Sequence, residues 1–136
     1  MALDPKIDYD AASLAVDAMV DEFDATGTFT FYAVGSGIPA NADDAITDQP
    51  VLIAITTPAP AFGAAANGVA AKAGVWSDTV TTGGEPVFFR LVVGAYCYQG
   101  TVGLTAGTWD VEFASVTWLL GGTVTISTFT VTLPRE

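Results

Sequence analysis

Three aspartates in one loop-like segment are the residues of this sequence best placed to do chemistry. Asp43, Asp44 and Asp48 lie within residues 35–49, which hold two glycines and one proline and have almost no hydrophobic periodicity. Carboxylates so close in sequence could bind calcium or act as the acid and base of a glycosidase. The segment lacks the Asp-x-Asp-x-Asp-Gly order of a dedicated calcium loop, and no spacing supports catalysis. The sequence therefore favours a solvated acidic loop, and it predicts no metal and no cofactor.

The sequence contains one cysteine, Cys97, and no histidine. A cysteine or serine nucleophile needs a basic partner that activates it, and histidine is the usual one. Cys97 stands between Tyr96 and Tyr98 in a predicted strand, with no basic residue beside it in sequence. We therefore expect Cys97 to be a sheet residue of a reducing compartment, and we expect the protein not to be an enzyme.

The charge of the chain excludes two classes of partner. Fifteen acidic residues face four basic ones among 136, which gives a formal charge of −11. Nucleic acids and anionic membranes both attract basic surfaces, so the sequence predicts neither as a partner. No basic stretch precedes an apolar one near the first residue, and no apolar run approaches the length of a membrane span. We expect synthesis in the cytoplasm.

The elements that must position these residues are mostly strands. Period-two alternation predicts a mainly β fold, an antiparallel β-sandwich or flattened β-barrel with one N-terminal helix. Residues 1–9 are interpreted as an N-terminal arm, and residues 10–136 as a single domain. A helix is predicted over 11–24, capped by Asp10, with an apolar stripe that covers the sheet edge or barrel mouth and consists of Leu14, Val16, Met19, Val20 and Phe23.

Alternating segments predict the strands, which we place at 28–34, 50–57, 69–71, 75–80, 87–93, 96–104, 109–114 and 122–133. Gly94 and Ala95 are predicted to form a two-residue hairpin. The last strand alternates apolar residues with threonine and serine, but its phase slips at Ser127 and Thr128. A bulge or bend absorbs such a slip, so this strand is predicted to turn a corner between two sheets, and Pro134 is predicted to end it.

The predicted turn after residue 116 contains large apolar residues, which are unusual in a turn. Trp118, Leu119 and Leu120 precede Gly121 and Gly122, so three large apolar side chains occupy a glycine-marked reversal. Exposed apolar clusters of this kind usually mark an interface or an aggregation liability. We therefore predict an interface at these three residues, together with Trp76. The alternative is that Trp118 folds back over the sheet end near the helix and leaves Leu119 exposed singly.

The order of the motifs resembles a family of small virion structural proteins from the head and tail gene clusters of tailed bacteriophages. The segments that carry the resemblance cover most of the chain, and they are residues 18–23, 39–43, 60–63, 67–70, 89–91, 100–103 and 123–134. The chain departs from the family at residues 118–120, which tend to be small and polar in similar proteins, and at Trp76, where a smaller residue is usual. The resemblance implies a virion component and supplies no catalytic residue.

Two functions follow from the resemblance, and a cellular β-sandwich domain of unrelated role is the alternative to both. The first is a capsid decoration (cement) protein on the capsid exterior, bound to the major capsid protein and to copies of itself, with a homotrimer as one arrangement. The second is a tail fibre or baseplate module that recognises a host glycan or protein. The second function needs exposed aromatic residues, for which Tyr32, Tyr98 and Trp76 are the candidates.

Overall fold

The computed structural model describes residues 9–23 and 25–132 and shows the expected mainly β fold with one helix in the described part of the chain. Residues 1–8 of the predicted arm, and Leu133 and Pro134, lie outside the described residues. The elements are α1 (Tyr9–Asp21), β1 (Thr28–Tyr32), β2 (Val51–Thr56), β3 (Val69–Ala71), β4 (Trp76–Thr79), β5 (Phe88–Val93), β6 (Tyr96–Leu104), β7 (Val111–Phe113), β8 (Thr123–Ile126) and β9 (Thr130–Thr132).

Seven of the strands follow one another around an incompletely closed barrel. One sheet has the order β2-β1-β5-β6-β7, and β4 pairs with β8 in a second. The backbone N–H groups of Thr81 and Thr82 donate to the carbonyl oxygen of Leu52, at 2.9 and 3.3 Å, which joins the end of β4 to β2. β3 and β9 form a separate ribbon. In the described part of the chain, the circuit is therefore open between β7 and β8, which are not paired with each other.

The interior of the barrel is filled with aromatic rings. Phe29 of β1 is fully buried, and its ring centroid lies 4.9 Å from that of Phe89, 5.5 Å from that of Trp76 and 5.3 Å from that of Phe129. Such pairs add stability beyond the area they bury. Because these four rings come from different parts of the chain, the cluster ties both sheets and the β3–β9 ribbon to one core.

The helix is shorter than predicted, and the face that it buries differs from the predicted apolar stripe. It covers Tyr9–Asp21, so Asp10 lies in its first turn and does not precede it. Leu14 and Met19, which the predicted stripe includes, are exposed. The buried face follows four-residue steps because neighbours at that spacing share one side of a helix, and it consists of Ala12, Val16, Val20 and the following Phe23.

The helix lies on the β3–β9 ribbon and not on a free surface. The Asp17 carboxylate accepts a hydrogen bond from the backbone N–H of Ala65 at 2.7 Å, and the Ser13 hydroxyl accepts one from Gly68 at 3.0 Å. Both donors belong to the segment that leads into β3. The helix is therefore fastened by its polar residues as well as by its apolar face, as expected for a cover of the barrel.

The predicted corner in the last strand is confirmed. β8 pairs antiparallel with β4, and β9 pairs antiparallel with β3, so one stretch of chain serves two sheets. The break lies at residues 127–129, where the alternation changes phase. Val124 and Ile126 before the break and Phe129 and Val131 after it are all buried. The bend keeps both halves facing the core.

β7 pairs parallel with β6, in contrast to the antiparallel pairing predicted throughout. The chain turns at Ala106 and Gly107 and returns to the level of Thr101. It then runs in the same direction as β6. The Asp110 carboxylate fixes this return, because it accepts hydrogen bonds from the backbone N–H of Thr101 at 2.7 Å and from its hydroxyl at 2.8 Å. The Trp109 ring lies over Gly103 and Gly107, where a Cβ would meet it within 2.5 Å.

The long loop of residues 35–49 covers the outer face of the five-stranded sheet β2-β1-β5-β6-β7, which we call the central sheet. Arg90 of β5 is buried under it, donating to the Gln99 side chain at 2.8 Å and to the carbonyl oxygen of Asn41 at 3.2 Å. Gln99 in turn donates to the carbonyl oxygen of Pro39 at 2.8 Å. The guanidinium is therefore hydrogen-bonded to neutral oxygens, which holds the loop against β5 and β6.

Candidate interaction surface

The exposed apolar tip of the molecule consists of Leu119 and Leu120, which we call the leucine tip. Their side chains are 74% and 72% exposed. The backbone around them is fixed, since Gly84 and Trp118 exchange two hydrogen bonds of 2.9 Å and Gly121 donates to the carbonyl oxygen of Val80 at 3.0 Å. Gly121 has a φ of 87°, which glycine adopts without strain. The leucine tip is thus a preorganised apolar protrusion.

Trp118 does not belong to the exposed tip, and our prediction of an interface there is wrong. It is buried, with its ring 5.3 Å from that of Phe31 and 5.1 Å from that of Phe113. Its indole N–H donates to the carbonyl oxygen of Ser115 at 3.2 Å. The alternative prediction is also only half right, because Trp118 packs on β1 and β7 and leaves two leucines exposed instead of one.

Trp76 is likewise a core residue, and the prediction that it lies at an interface is wrong. Its side chain is fully buried against Phe29, Phe62 and Phe129, and its indole N–H donates to the carbonyl oxygen of Ala73 at 3.0 Å. A large ring is needed here because Trp76 lies where the second sheet and the β3–β9 ribbon meet the central sheet. The residue fills the barrel and has no surface to offer a partner.

The other two aromatic candidates for host recognition are half-buried tyrosines. Tyr32 stacks on Phe88 with ring centroids 4.8 Å apart, and Tyr98 stacks on Phe89 at 6.1 Å. Burial raises the pKa of both phenols, an effect that the Arg90 guanidinium partly offsets at Tyr32. Neither ring is a free platform for a sugar or a protein.

Trp109 is an exposed aromatic residue that the sequence pattern does not identify. Its side chain is 48% exposed, and it borders an apolar groove of about 350 Å³ together with Val34, Ile38 and Leu104. The alternation places Trp109 in a strand and predicts that it points inward. The glycines at 103 and 107, which leave room for a flat ring on the surface, are the signal that could identify it.

A second groove follows the open side of the barrel between β7 and β8, which we call the seam. It has a volume of about 550 Å³ and runs between residues 109–114 and residues 125–130. A depression of about 430 Å³ under Leu119 shares Phe113, Ala114 and Thr125 with it. The seam therefore begins beneath the leucine tip and continues along the barrel.

The aspartates of the acidic loop do not converge on one point. Asp48 accepts hydrogen bonds from the hydroxyl and the backbone N–H of Ser36, at 2.8 and 3.2 Å, which lower the pKa of its carboxyl group. Asp44 accepts one from the backbone N–H of Asn41 at 2.9 Å. Within residues 9–23 and 25–132, no group of three or more histidine, cysteine, aspartate or glutamate side chains could hold a metal ion. The Asp44 and Asp48 carboxylates stabilise turns of the loop.

Cys97 is a half-buried thiol on the central sheet, and we predict that it reacts slowly. Burial raises the pKa of the thiol, the Arg90 guanidinium opposes that effect and Asp43 adds to it. Because the thiolate is the nucleophile, the thiolate fraction at pH 8 is lower in the folded than in the unfolded chain. We expect iodoacetamide to modify the folded protein at least several times more slowly than the protein in guanidinium chloride, followed by mass spectrometry. Faster modification of the folded protein would show an activated cysteine.

In the part of the chain that the structure describes, no helix is long and apolar enough to cross a membrane. The fold and its surfaces define a class, a small acidic β-barrel domain with a preorganised apolar tip. Comparison with protein-family models, with curated proteins and with solved structures found no match to the chain.

Proposed function

We propose that the protein is a structural component of a tailed-bacteriophage virion, a capsid decoration protein that binds the outer face of the assembled shell. The observation that carries the proposal is the leucine tip, two exposed leucines on a turn whose backbone is already fixed. A rigid apolar protrusion loses little conformational freedom on binding, so most of its burial energy contributes to attachment. The major capsid protein is the proposed partner, and neighbouring copies of the chain are further contacts on the shell.

The proposed mechanism is stabilisation by binding, without catalysis and without a cofactor. A protein that binds only the assembled lattice shifts the equilibrium toward that lattice by mass action. Each leucine that becomes fully buried contributes about 1.5–3 kcal/mol relative to exposure in water. Repeated over many lattice sites, an attachment of this size is enough to reinforce a shell.

A tail fibre or baseplate recognition module is the second candidate, and one observation favours it. Trp109 forms the half-exposed wall of an apolar groove, and aromatic walls of this kind suit a host ligand. The two candidates differ in where the protein resides. Separating heads from tails of intact particles and measuring the copy number of the chain in each fraction tests them. Presence in heads at a copy number that matches the lattice supports decoration, and presence only in tails contradicts it.

The charge of −11 leads to a prediction about salt. Exposed charges are screened beyond about 8–10 Å at physiological ionic strength, so a basic patch on the shell attracts this chain more strongly at low salt. We expect release from particles to increase as sodium chloride is raised from low to high concentration, measured by sedimentation of the particles. If attachment does not change with salt and is also unchanged by substitution of the leucine tip, the proposal that the protein binds the shell through its charge and this tip is contradicted.

A further inference from the structure

The seam lies between two strand edges that have no backbone partner among the described residues. β7 pairs only with β6, and β8 pairs only with β4, so each strand offers one free edge to the groove. Free edges with unpaired N–H and C=O groups accept a further strand readily. Among residues 9–23 and 25–132, no strand therefore supplies the pairing that would close the barrel at this place.

The hydrogen-bonding phase of β8 shows which groups face the groove. The N–H of Val80 donates to the carbonyl oxygen of Gly122 at 2.7 Å, so by alternation Val124 and Ile126 bond to β4. The N–H and C=O groups of Thr125 then point away from β4. The Thr125 and Ser77 hydroxyls lie 2.8 Å apart, as expected for a pair of residues that does not exchange backbone bonds.

The same reasoning applies to β7. The N–H of Thr105 donates to the carbonyl oxygen of Phe113 at 2.9 Å, so Phe113 bonds toward β6. Bonding residues alternate along a strand, and the backbone groups of Glu112 therefore face the seam. The two walls thus present a donor and an acceptor from Glu112 and a donor and an acceptor from Thr125.

The charges of the groove restrict what can enter it. Its charged lining residues are Asp110 and Glu112, both acidic, and the opposite wall carries hydroxyl side chains. The carboxylates are fixed, since Asp110 accepts from Thr101 and Glu112 accepts from the backbone N–H of Ala106 at 3.1 Å. We propose that the seam accepts an extended segment of a partner protein that carries lysine or arginine, which adds a strand between β7 and β8.

This proposal goes beyond the proposed function and does not depend on it, because any protein with such a segment would fit. The probe is a fluorescein-labelled peptide of alternating lysine and valine, about six residues long to match a strand with a rise of about 3.3 Å per residue. The matched peptides are one that alternates glutamate and valine and a lysine–valine peptide methylated at alternate backbone nitrogens. We expect binding of the first peptide, measured by fluorescence anisotropy, to exceed that of both others at least tenfold.

Two substitutions at one position separate the backbone donor from the side chain. Thr125→Val keeps the outward N–H and removes the hydroxyl, whereas Thr125→Pro removes the N–H without removing a bond to β4. We expect Thr125→Val to bind the peptide within about twofold of the native chain and Thr125→Pro to lose about tenfold, the effect of one hydrogen bond in affinity. Thermal unfolding of both variants shows whether the fold is retained.

Amide hydrogen exchange of the native chain supplies a test that needs no variant. We expect the added lysine–valine peptide to slow exchange at Thr125 and Glu112. Equal binding of the glutamate peptide, or binding that leaves these two amides unprotected, would overturn the proposal. So would a dimer in sedimentation that Thr125→Pro abolishes, because a second copy would then occupy the seam. If the same amides are already protected without peptide and lose that protection when residues 1–8 are deleted, the seam is occupied by the chain itself. That result would also overturn the proposal.

Discussion

Replacing both residues of the leucine tip with serine is expected to detach the protein from its particle while leaving the isolated domain folded. Leu119 and Leu120 are largely exposed, so the substitutions remove almost no contact from the core. Burial of both side chains at an interface contributes about 3–6 kcal/mol, which corresponds to a loss of affinity of about 100-fold or more. Occupancy on purified particles and thermal unfolding of the free domain are the two measurements.

The matched control is the pair Leu14→Ser and Val75→Ser, whose side chains are 72% and 76% exposed. Leu14 belongs to α1, and Val75 precedes β4 at the end where Trp76 pairs with Ile126, opposite the end that leads to the tip. This control should attach normally. A fall in melting temperature of the Leu119→Ser/Leu120→Ser domain, with attachment lost only in proportion to folding, would place the tip in the core. Normal attachment of a folded double variant would show that the shell is bound elsewhere.

Trp76→Ala is expected to destabilise the domain far more than any substitution at its surface. The fully buried ring contacts Phe29, Phe62 and Phe129, and alanine leaves a cavity among them. Removal of a buried aromatic side chain costs about 3–5 kcal/mol, a large part of the stability of a domain of this size. The melting temperature should fall by roughly 10–20 °C, measured by circular dichroism.

Trp109→Ala is the matched control for that experiment, because the same side chain is removed from a half-exposed site. We expect a loss of no more than about 1–2 kcal/mol, since part of the ring already contacts water. A Trp76→Ala domain as stable as the native one would mean that the folded chain does not need the ring in its core. The ratio of the two effects tests the assignment of Trp76 to the core.

The strands could be predicted from the sequence because their alternation is local. The phase slip at Ser127 and Thr128 located the corner between β8 and β9, and the Gly94–Ala95 hairpin follows from a short-range turn signal. In both cases the information needed lies within a few neighbouring residues. The mainly β fold with one helix follows from the same periodicity.

The features that could not be predicted depend on distant partners. The parallel return of β7 rests on hydrogen bonds between Asp110 and Thr101, and the exposure of Leu14 depends on which helix face meets the β3–β9 ribbon. For Trp76 and Trp118, large size at an unusual position suggested an interface. Only the packing of the whole barrel shows that they fill its interior. Of the predicted interface, the leucine tip alone lies at the surface.

The bent last strand also determines when the protein can fold during its synthesis. Thr123 pairs with Thr79, and Thr132 pairs with Val69. β3 and β4 therefore cannot pair until β9 and β8, which are synthesised much later, are available. Until Phe129 and Val131 have left the ribosome, the aromatic core of the nascent chain has no cover on that side. Closure by such distant contacts is slow and exposes apolar surface meanwhile. We therefore expect the chain to fold after translation of this strand, and nascent chains interrupted before it to be candidates for chaperone binding.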